Sequence, residues 1–200
     1  SLEKINHFLA DEHEGRLWYG RVNMHSGDHV SSVVTLYDAF FPAVLALSGE
    51  MNNAKNLQTS WDWLWSEYGL EPTAYDYKKE EITYPVYSLN PEIMESAYCL
   101  FSLSGDNSFY SMNEKYWTDL KKYCRTEVAY SSIEDVRTME KRDYMPTYFF
   151  AETLKYLYLT FSGKEVKFIM EDHIFTTEAH QFKKSSFDRK ETGKRLGFQN

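Results

Sequence analysis

Three stretches of the chain are almost continuously apolar, and each one stops at a Ser-Gly pair. The stretches cover residues 33–47, 93–103 and 149–161, and the pairs begin at Ser48, Ser104 and Ser162. Apolar runs of this length predict helices that are covered on most sides. A glycine directly after the last apolar turn is a common helix stop, because glycine accepts a left-handed conformation. We therefore predict three inner helices with these boundaries.

The Ser-Gly pairs recur at intervals of 56 and 58 residues, which indicates an internal repeat. Amphipathic segments with tryptophans follow the first two pairs at residues 53–68 and 108–123, where we predict outer helices. A repeated pair of inner and outer helices is typical of an α/α toroid or solenoid. Residues 81–89 and 128–138 predict short strands or extended loops at one rim. Three hairpins are too few to close a ring, so we expect more protein at the open edges.

Charge is distributed unevenly along the chain, whose net charge is −8. Residues 181–200 carry six basic and two acidic side chains, which leaves 16 basic against 28 acidic side chains elsewhere. A surface this acidic repels phosphate backbones, so we exclude nucleic-acid binding. We also exclude a membrane span, because no run of about 18 apolar residues exists. Residues 182–200 are interpreted as a basic tail after a domain that covers residues 1–181.

Candidate redox and zinc residues are few. Cys99 and Cys124 lack CxxC spacing, and they leave two alternatives open, a pair of buried thiols or one disulfide. His25 and His29 lie four residues apart, but Gly27 between them argues against a helical zinc pair.

Two glutamates share the predicted first turn of the second inner helix. In the segment Asn90-Pro91-Glu92-Ile93-Met94-Glu95-Ser96, the proline predicts the helix start, and Glu92 and Glu95 lie on one face. One interpretation is structural, because acids in a first turn complement the helix dipole. The other interpretation is a functional pair of carboxylates at the mouth of the helix.

Two other acids lie in unusual surroundings. Glu152 lies inside an apolar run, where a buried carboxylate needs a salt bridge or a cation. Thr176, Thr177 and Glu178 place hydroxyl, carbonyl and carboxylate oxygens together, and calcium prefers such ligands. A Thr-Thr-Glu sequence is equally typical of a helix start, so a structural role stays open as well.

These motifs together resemble glycoside hydrolase family 47. The similar segments are residues 90–96, 149–159 and 175–180, which occur in the family's order. Residues 22–27 and 39–42 are similar to its branch of ER degradation-enhancing α-mannosidase-like proteins. The resemblance implies an all-α fold, an α/α toroid of the (α/α)7 barrel type that is partial here, with short β-hairpins at one rim.

The resemblance also implies the chemistry, which is removal of α-1,2-linked mannose from N-glycans with inversion and with Ca²⁺ as cofactor. Glu92 is similar in position to the general base that activates water, and Thr177 is similar to the direct calcium ligand. Contacts with the sugar or with calcium-bound water are implied for Glu95, Glu152, Glu178 and Tyr148. Tyr148 stands where the family has a Phe beneath the sugar ring.

Several family features are absent. Inversion needs a general acid about 6.5–9.5 Å from the base, and in the family this acid lies in an earlier repeat. Either the chain is a piece of a longer protein, which we favour, or it is catalytically inactive. Asn90 and Pro146 stand where the family has Arg and Glu, and Leu36 stands where processing mannosidases have His. These departures favour the branch that marks misfolded glycoproteins for disposal.

That branch implies the ER lumen, N-glycans of misfolded glycoproteins as substrates, and protein disulfide isomerase as a partner. The remainder of the same catalytic domain is expected to pack against the chain. Two alternatives remain: a module of the same fold that binds mannose glycans without cleavage, and a helical-repeat scaffold whose glutamates only cap helices.

Overall fold

The computed structural model describes residues 2–163, 172–176, 178–195 and 197. The helices are α1 (Leu2–Leu9), α2 (Phe41–Leu47), α3 (Met51–Tyr68), α4 (Glu92–Ser104), α5 (Asn107–Asp119), α6 (Leu154–Phe161) and α7 (Arg189–Arg195). Leu36–Phe40 and Lys184–Ser186 form tight 3₁₀ turns. Leu120–Cys124 and Phe149–Thr153 form wide π-helical turns. The strands are β1 (Ala10–His13), β2 (Arg16–Tyr19), β3 (Arg21–Val22), β4 (His29–Ser31), β5 (Val33–Thr35), β6 (Ala74–Asp76), β7 (Glu81–Tyr84), β8 (Ser132–Asp135), β9 (Glu140–Arg142), β10 (His173–Phe175) and β11 (Gln181–Lys183).

Left-handed glycines end the inner helices, as the repeat predicts. Gly49 (φ 91°) joins α2 to α3, Gly105 (φ 69°) joins α4 to α5, and Gly163 (φ 72°) follows α6. Glycine reverses the chain here without the Cβ strain of other residues. Helix α4 packs against both α2 and α6, so the inner helices are neighbours. The helical hairpins are thus confirmed, and their closure into a ring stays a prediction.

Short antiparallel strands lie between the helical hairpins. Strand β6 is the centre of a sheet with β5 and β7, and the other strands form the two-stranded pairs β1–β2, β3–β4, β8–β9 and β10–β11. Strands β5, β7 and β9 each precede an inner helix, whereas the glycine turns follow the opposite ends of those helices. These strands therefore gather at the N-terminal ends of α2, α4 and α6, which forms one rim.

Aromatic residues fill the core that supports this rim. The ring centroids of Trp18 and Trp61 are 5.3 Å apart, and Trp18 stacks on Tyr77 at 5.6 Å. Trp65 of α3 lies 4.6 Å from Tyr116 of α5. All five rings are almost completely buried. Because large buried rings dominate the hydrophobic stabilisation of a core, they fix the outer helices against the strands.

Two inner helices are shorter than predicted. The helix predicted over residues 33–47 is wrong in its first half, because β-branched Val33–Thr35 pair with β6 and α2 begins only at Phe41, with Pro42 in its first turn. The helix predicted over residues 149–161 begins with a wide turn. There the Leu154 N–H bonds to the Phe149 carbonyl, five residues back instead of four.

Cys99 and Cys124 are free, buried thiols, so the disulfide alternative is wrong. Burial raises the pKa of each thiol to about 12, which disfavours the reactive thiolate. In the part of the chain that the structure describes, no helix has the length and apolar character needed to cross a membrane.

Candidate functional site

The segment before α4 has a strained backbone. Leu89 is fully buried and has φ 61°, although it is not glycine. Such a conformation costs on the order of 1–3 kcal/mol and persists only where surrounding contacts impose it. Pro91 follows, and its carbonyl accepts hydrogen bonds from the Met94 and Glu95 N–H groups. The chain thus turns sharply at Leu89 and places Glu92 at the first position of α4.

The wide turn Phe149–Thr153 holds this segment in place. Thr153 Oγ1 donates a 2.7 Å hydrogen bond to the Leu89 carbonyl, and the Tyr148 hydroxyl donates a 2.9 Å bond to the Ser88 carbonyl. Wide turns recur at functional sites, where the extra residue changes the direction of neighbouring side chains. Here the turn brings Glu152 within electrostatic range of both Glu92 and Glu95.

Glu92 and Glu95 are largely buried carboxyls with raised pKa values. Burial raises the pKa of Glu92 to about 7, and Glu152 and Glu95 add to the shift, whereas hydrogen bonds from its own N–H and from Asn90 oppose it. Burial also raises the pKa of Glu95 to about 7, against a 2.9 Å hydrogen bond from the Tyr156 hydroxyl. In the described residues Glu92 Oε2 is buried without a hydrogen-bond partner. A carboxyl that titrates near neutral pH is suited to general acid–base chemistry.

Glu152 connects this pair to the turn between β10 and β11. Burial raises the pKa of Glu152, and Glu178 raises it further, whereas Lys155 and His180 lower it. Glu178 itself is exposed, and its Oε2 lies 3.9 Å from His180 Nδ1. Glu152 therefore lies within electrostatic range of Glu92 and Glu95 on one side and of Glu178 on the other, which connects four predicted glutamates from three segments.

Tyr148 lies beside the same acids. Burial raises its pKa, and Tyr144 and Glu92 raise it further, which places both groups close by. The hydroxyl is bound to Ser88, so the ring is fixed next to the start of α4. Aromatic faces beside a few placed polar groups are typical of ligand sites.

A cavity of about 520 Å³ adjoins the site between α4, α6 and β10. Glu95 and Tyr156 lie in its wall, together with Tyr98 and Phe175, and most of its lining is apolar. Glu95 therefore lies both beside the acids of the site and in the wall of this cavity.

Thr177, the predicted direct calcium ligand, lies outside the described residues. Within the described ranges, no three His, Cys, Asp or Glu side chains are arranged as direct ligands of one ion. The acids nevertheless suit a hard cation, because Glu92 has a free buried oxygen and Glu152 is repelled by Glu178. Such an arrangement fits an ion that is held partly through water, as oxygen-liganded calcium often is.

Glu71 is a buried acid that the sequence did not reveal. It is 1% exposed, and among the described residues its Oε2 has no hydrogen-bond partner. Burial raises its pKa well above the usual range, and Glu92 raises it further. A Glu-Pro pair shortly after an outer helix is typical of a solvated loop, and only tertiary packing buries Glu71. The position of the pair after the tryptophan-rich segment 53–68 is the only sequence feature that could have indicated this site.

The chain as a whole is similar to several known proteins. Residues 2–184 match the family model of Glycosyl hydrolase family 47. The chain is 32% identical over 165 residues to Alpha-mannosidase I MNS5 of Arabidopsis thaliana, which covers 82% of this chain and 28% of that protein. It is 35% identical over 145 residues to human ER degradation-enhancing alpha-mannosidase-like protein 3, which covers 71% of this chain and 15% of that protein. The chain thus spans less than a third of these relatives.

Among solved structures, the alpha-1,2-mannosidase from Trichoderma reesei has a similar fold. The TM-score is 0.81 at 21% identity, and the match covers 91% of this chain and 45% of that chain. At this identity the similarity shows a shared fold alone. It supports helical hairpins with short strands as the architecture of this chain.

Proposed function

Since the chain belongs to glycosyl hydrolase family 47, we propose that it is part of an inverting, calcium-dependent α-1,2-mannosidase that trims N-glycans of misfolded glycoproteins. The observation that carries the proposal is the convergence of Glu92, Glu95, Glu152 and Glu178 at one rim. A scaffold protein has no use for a cluster of acids in which Glu152 raises the pKa values of Glu92 and Glu95, and Glu178 raises that of Glu152. A divalent cation offsets their repulsion.

Glu92 is proposed as the general base. Its pKa of about 7 leaves a substantial ionised fraction at neutral pH, and the ionised carboxylate takes a proton from the attacking water. Its backbone position is fixed by the strained turn at Leu89 and the bond from Thr153. Such fixation keeps the base in a geometry that lowers the entropy cost of reaction.

The other residues are proposed to hold the sugar. Bound Ca²⁺ supplies a positive charge that orients sugar hydroxyls and water. Glu95, Glu152 and Glu178 accept hydrogen bonds from those groups, and Thr177 binds the ion directly. The fixed ring of Tyr148 supports the apolar face of the sugar. The general acid comes from protein outside these 200 residues, and the inner helices provide the surface on which the rest of the ring packs.

We also propose the ER lumen as the location, because relatives carry ER degradation in their names. A partnership with protein disulfide isomerase is part of this proposal. Disulfide exchange through Cys99 or Cys124 is disfavoured, because both thiols are buried with raised pKa values. Any such partner therefore binds through other surfaces or other cysteines of the full-length protein.

The test is mannose release by the full-length protein and its Glu92→Gln variant. We expect the variant to lose at least about 100-fold in rate, because a general base contributes about 10²–10⁴-fold. The exposed Glu114 of α5 provides the matched control, and Glu114→Gln should retain full activity. Retained activity in Glu92→Gln contradicts the base assignment. Glycan binding without release by the unmodified protein supports the non-catalytic binding module instead.

A further inference from the structure

Lys155 of α6 reaches the turn that connects β10 to β11, which we call the 176–180 turn. Lys155 Nζ donates a 2.8 Å hydrogen bond to the Ala179 carbonyl. Lys155 comes three residues after Glu152, and residues at this spacing lie on the same side of a helical segment. Glu152 of the wide turn and Lys155 at the start of α6 are therefore close neighbours, and the effect of Lys155 on the pKa of Glu152 agrees with this.

The 176–180 turn is compact. The Thr176 N–H bonds to the His180 carbonyl at 2.9 Å, and the Ala179 N–H bonds to the Thr176 carbonyl at 2.8 Å. Ala179 has φ 55°, a left-handed conformation that an alanine rarely adopts without external support. Ala179 is fully buried against Tyr98 and Tyr156. Contacts with α4 and α6 therefore impose the conformation of this turn.

The turn also brings like charges together. Glu178 of the turn raises the pKa of Glu152, so the two carboxylates repel each other. Lys155 and His180 lower that pKa, so they offset part of the repulsion. His180 belongs to the turn itself, and Lys155 belongs to α6. Lys155 is thus the group that connects the turn to the helix by both charge and hydrogen bonding.

We propose that Lys155 is a positioning residue that holds the 176–180 turn against α6, so that Glu178 faces Glu152 across the proposed calcium site. This inference rests on the calcium site of the proposed function. Lys155 is not a ligand, because an ammonium group has no lone pair to offer a metal ion. Its effect on calcium is indirect and passes through the Ala179 carbonyl.

Replacement of Lys155 by methionine distinguishes two effects of the side chain, its hydrogen bond to the turn and its positive charge. Loss of a positive charge beside acids should tighten calcium binding, whereas loss of the anchor should weaken it. These two effects have opposite signs, so the dissociation constant decides between them. We expect Lys155→Met to raise the Kd for Ca²⁺ about tenfold, since groups that orient ligands are typically worth 10–100-fold.

Titration calorimetry with CaCl₂ on the full-length protein measures this change. The matched control is Lys141→Met, because Lys141 Nζ also bonds to a backbone carbonyl, that of Arg125, in another part of the chain. Lys141→Met should leave the Kd unchanged, and Lys155→Arg should restore it to within about threefold, because Arg keeps both charge and donors. An unchanged or tighter Kd in Lys155→Met overturns the proposal.

Hydrogen exchange of the metal-free protein tests the anchor without calcium. We expect Lys155→Met to speed the exchange of the Ala179 and His180 amides, whereas buried amides of α4 keep their rates and report an intact fold. Equal exchange in the turn overturns the positioning role. If the unmodified protein binds no Ca²⁺ but the turn still exchanges faster in Lys155→Met, then the calcium site fails and the anchor stands.

Discussion

At the residue scale, the candidate acids differ in how far the sequence predicts them. Glu92 and Glu95 follow a Pro at a helix start, and Glu152 interrupts an apolar run, so their sequence contexts are unusual. The structure brings these three together, and Glu178 lies within electrostatic range of Glu152. Glu71 was missed because its burial and its proximity to Glu92 depend on tertiary packing, which no local pattern contains. Thr177 and its predicted calcium contact lie outside the described residues.

The raised pKa values of Glu92 and Glu95 predict a stability that falls with pH in metal-free protein. Each pKa is about 7 in the folded chain against 4.5 for an ordinary Glu. Between these values the folded state binds more protons, so the free energy of unfolding decreases as pH rises. Each group contributes a loss of at most about 3–4 kcal/mol, since one pKa unit corresponds to about 1.4 kcal/mol.

Urea unfolding at pH 5 and pH 7.5 in the presence of a chelator measures this dependence. Glu95→Gln should reduce the change in the free energy of unfolding between the two pH values, because an amide does not ionise. Glu114→Gln, at an exposed position, should leave this change as it is in the unmodified protein. A stability that stays constant or rises between pH 5 and pH 7.5 would mean that these carboxyls are not buried as described.

At the element scale, helix stops were easier to predict than helix starts. The glycines at 49, 105 and 163 mark the ends of the three predicted inner helices, because left-handed φ values are a local property of glycine. The starts of α2 and α6 depend on other segments. Val33–Thr35 form a strand because β6 lies beside them, and the wide turn Phe149–Thr153 depends on the contact of Thr153 with Leu89.

The bond between Thr153 and Leu89 predicts a coupling between the two segments that carry the acids. Thr153→Val keeps the shape but leaves the buried Leu89 carbonyl without this donor. Loss of such a bond should lower the free energy of unfolding by about 1–3 kcal/mol. Thr59 offers a control, because it is exposed and bonds only within α3, so Thr59→Val should change stability little. If chemical denaturation shows equal losses of stability for the two variants, the hydrogen bond from Thr153 to Leu89 does not couple the two segments as proposed.

At the scale of the whole molecule, the repeat predicts the order of helices but not the completed ring. Leu47 of α2 and Tyr158 of α6 are 64% and 66% exposed, although both lie on inner helices. Large apolar residues on inner helices are expected to pack against further protein. The sequence contains the period of the repeat, whereas the number of repeats that close a ring depends on residues beyond these.

The central claim is that four glutamates from separate segments share one cation. Thermal unfolding of the full-length protein with excess CaCl₂ and with a chelator tests it most directly. At 100 times the Kd, binding stabilises the folded state by about 2.7 kcal/mol. We predict a melting temperature a few °C higher in calcium, since 1 kcal/mol corresponds to about 2–4 °C for 150–250 residues and to less for a larger domain. We also predict that Glu92→Gln, Glu152→Gln and Glu178→Gln together abolish the shift. An equal melting temperature in calcium and chelator would contradict the account.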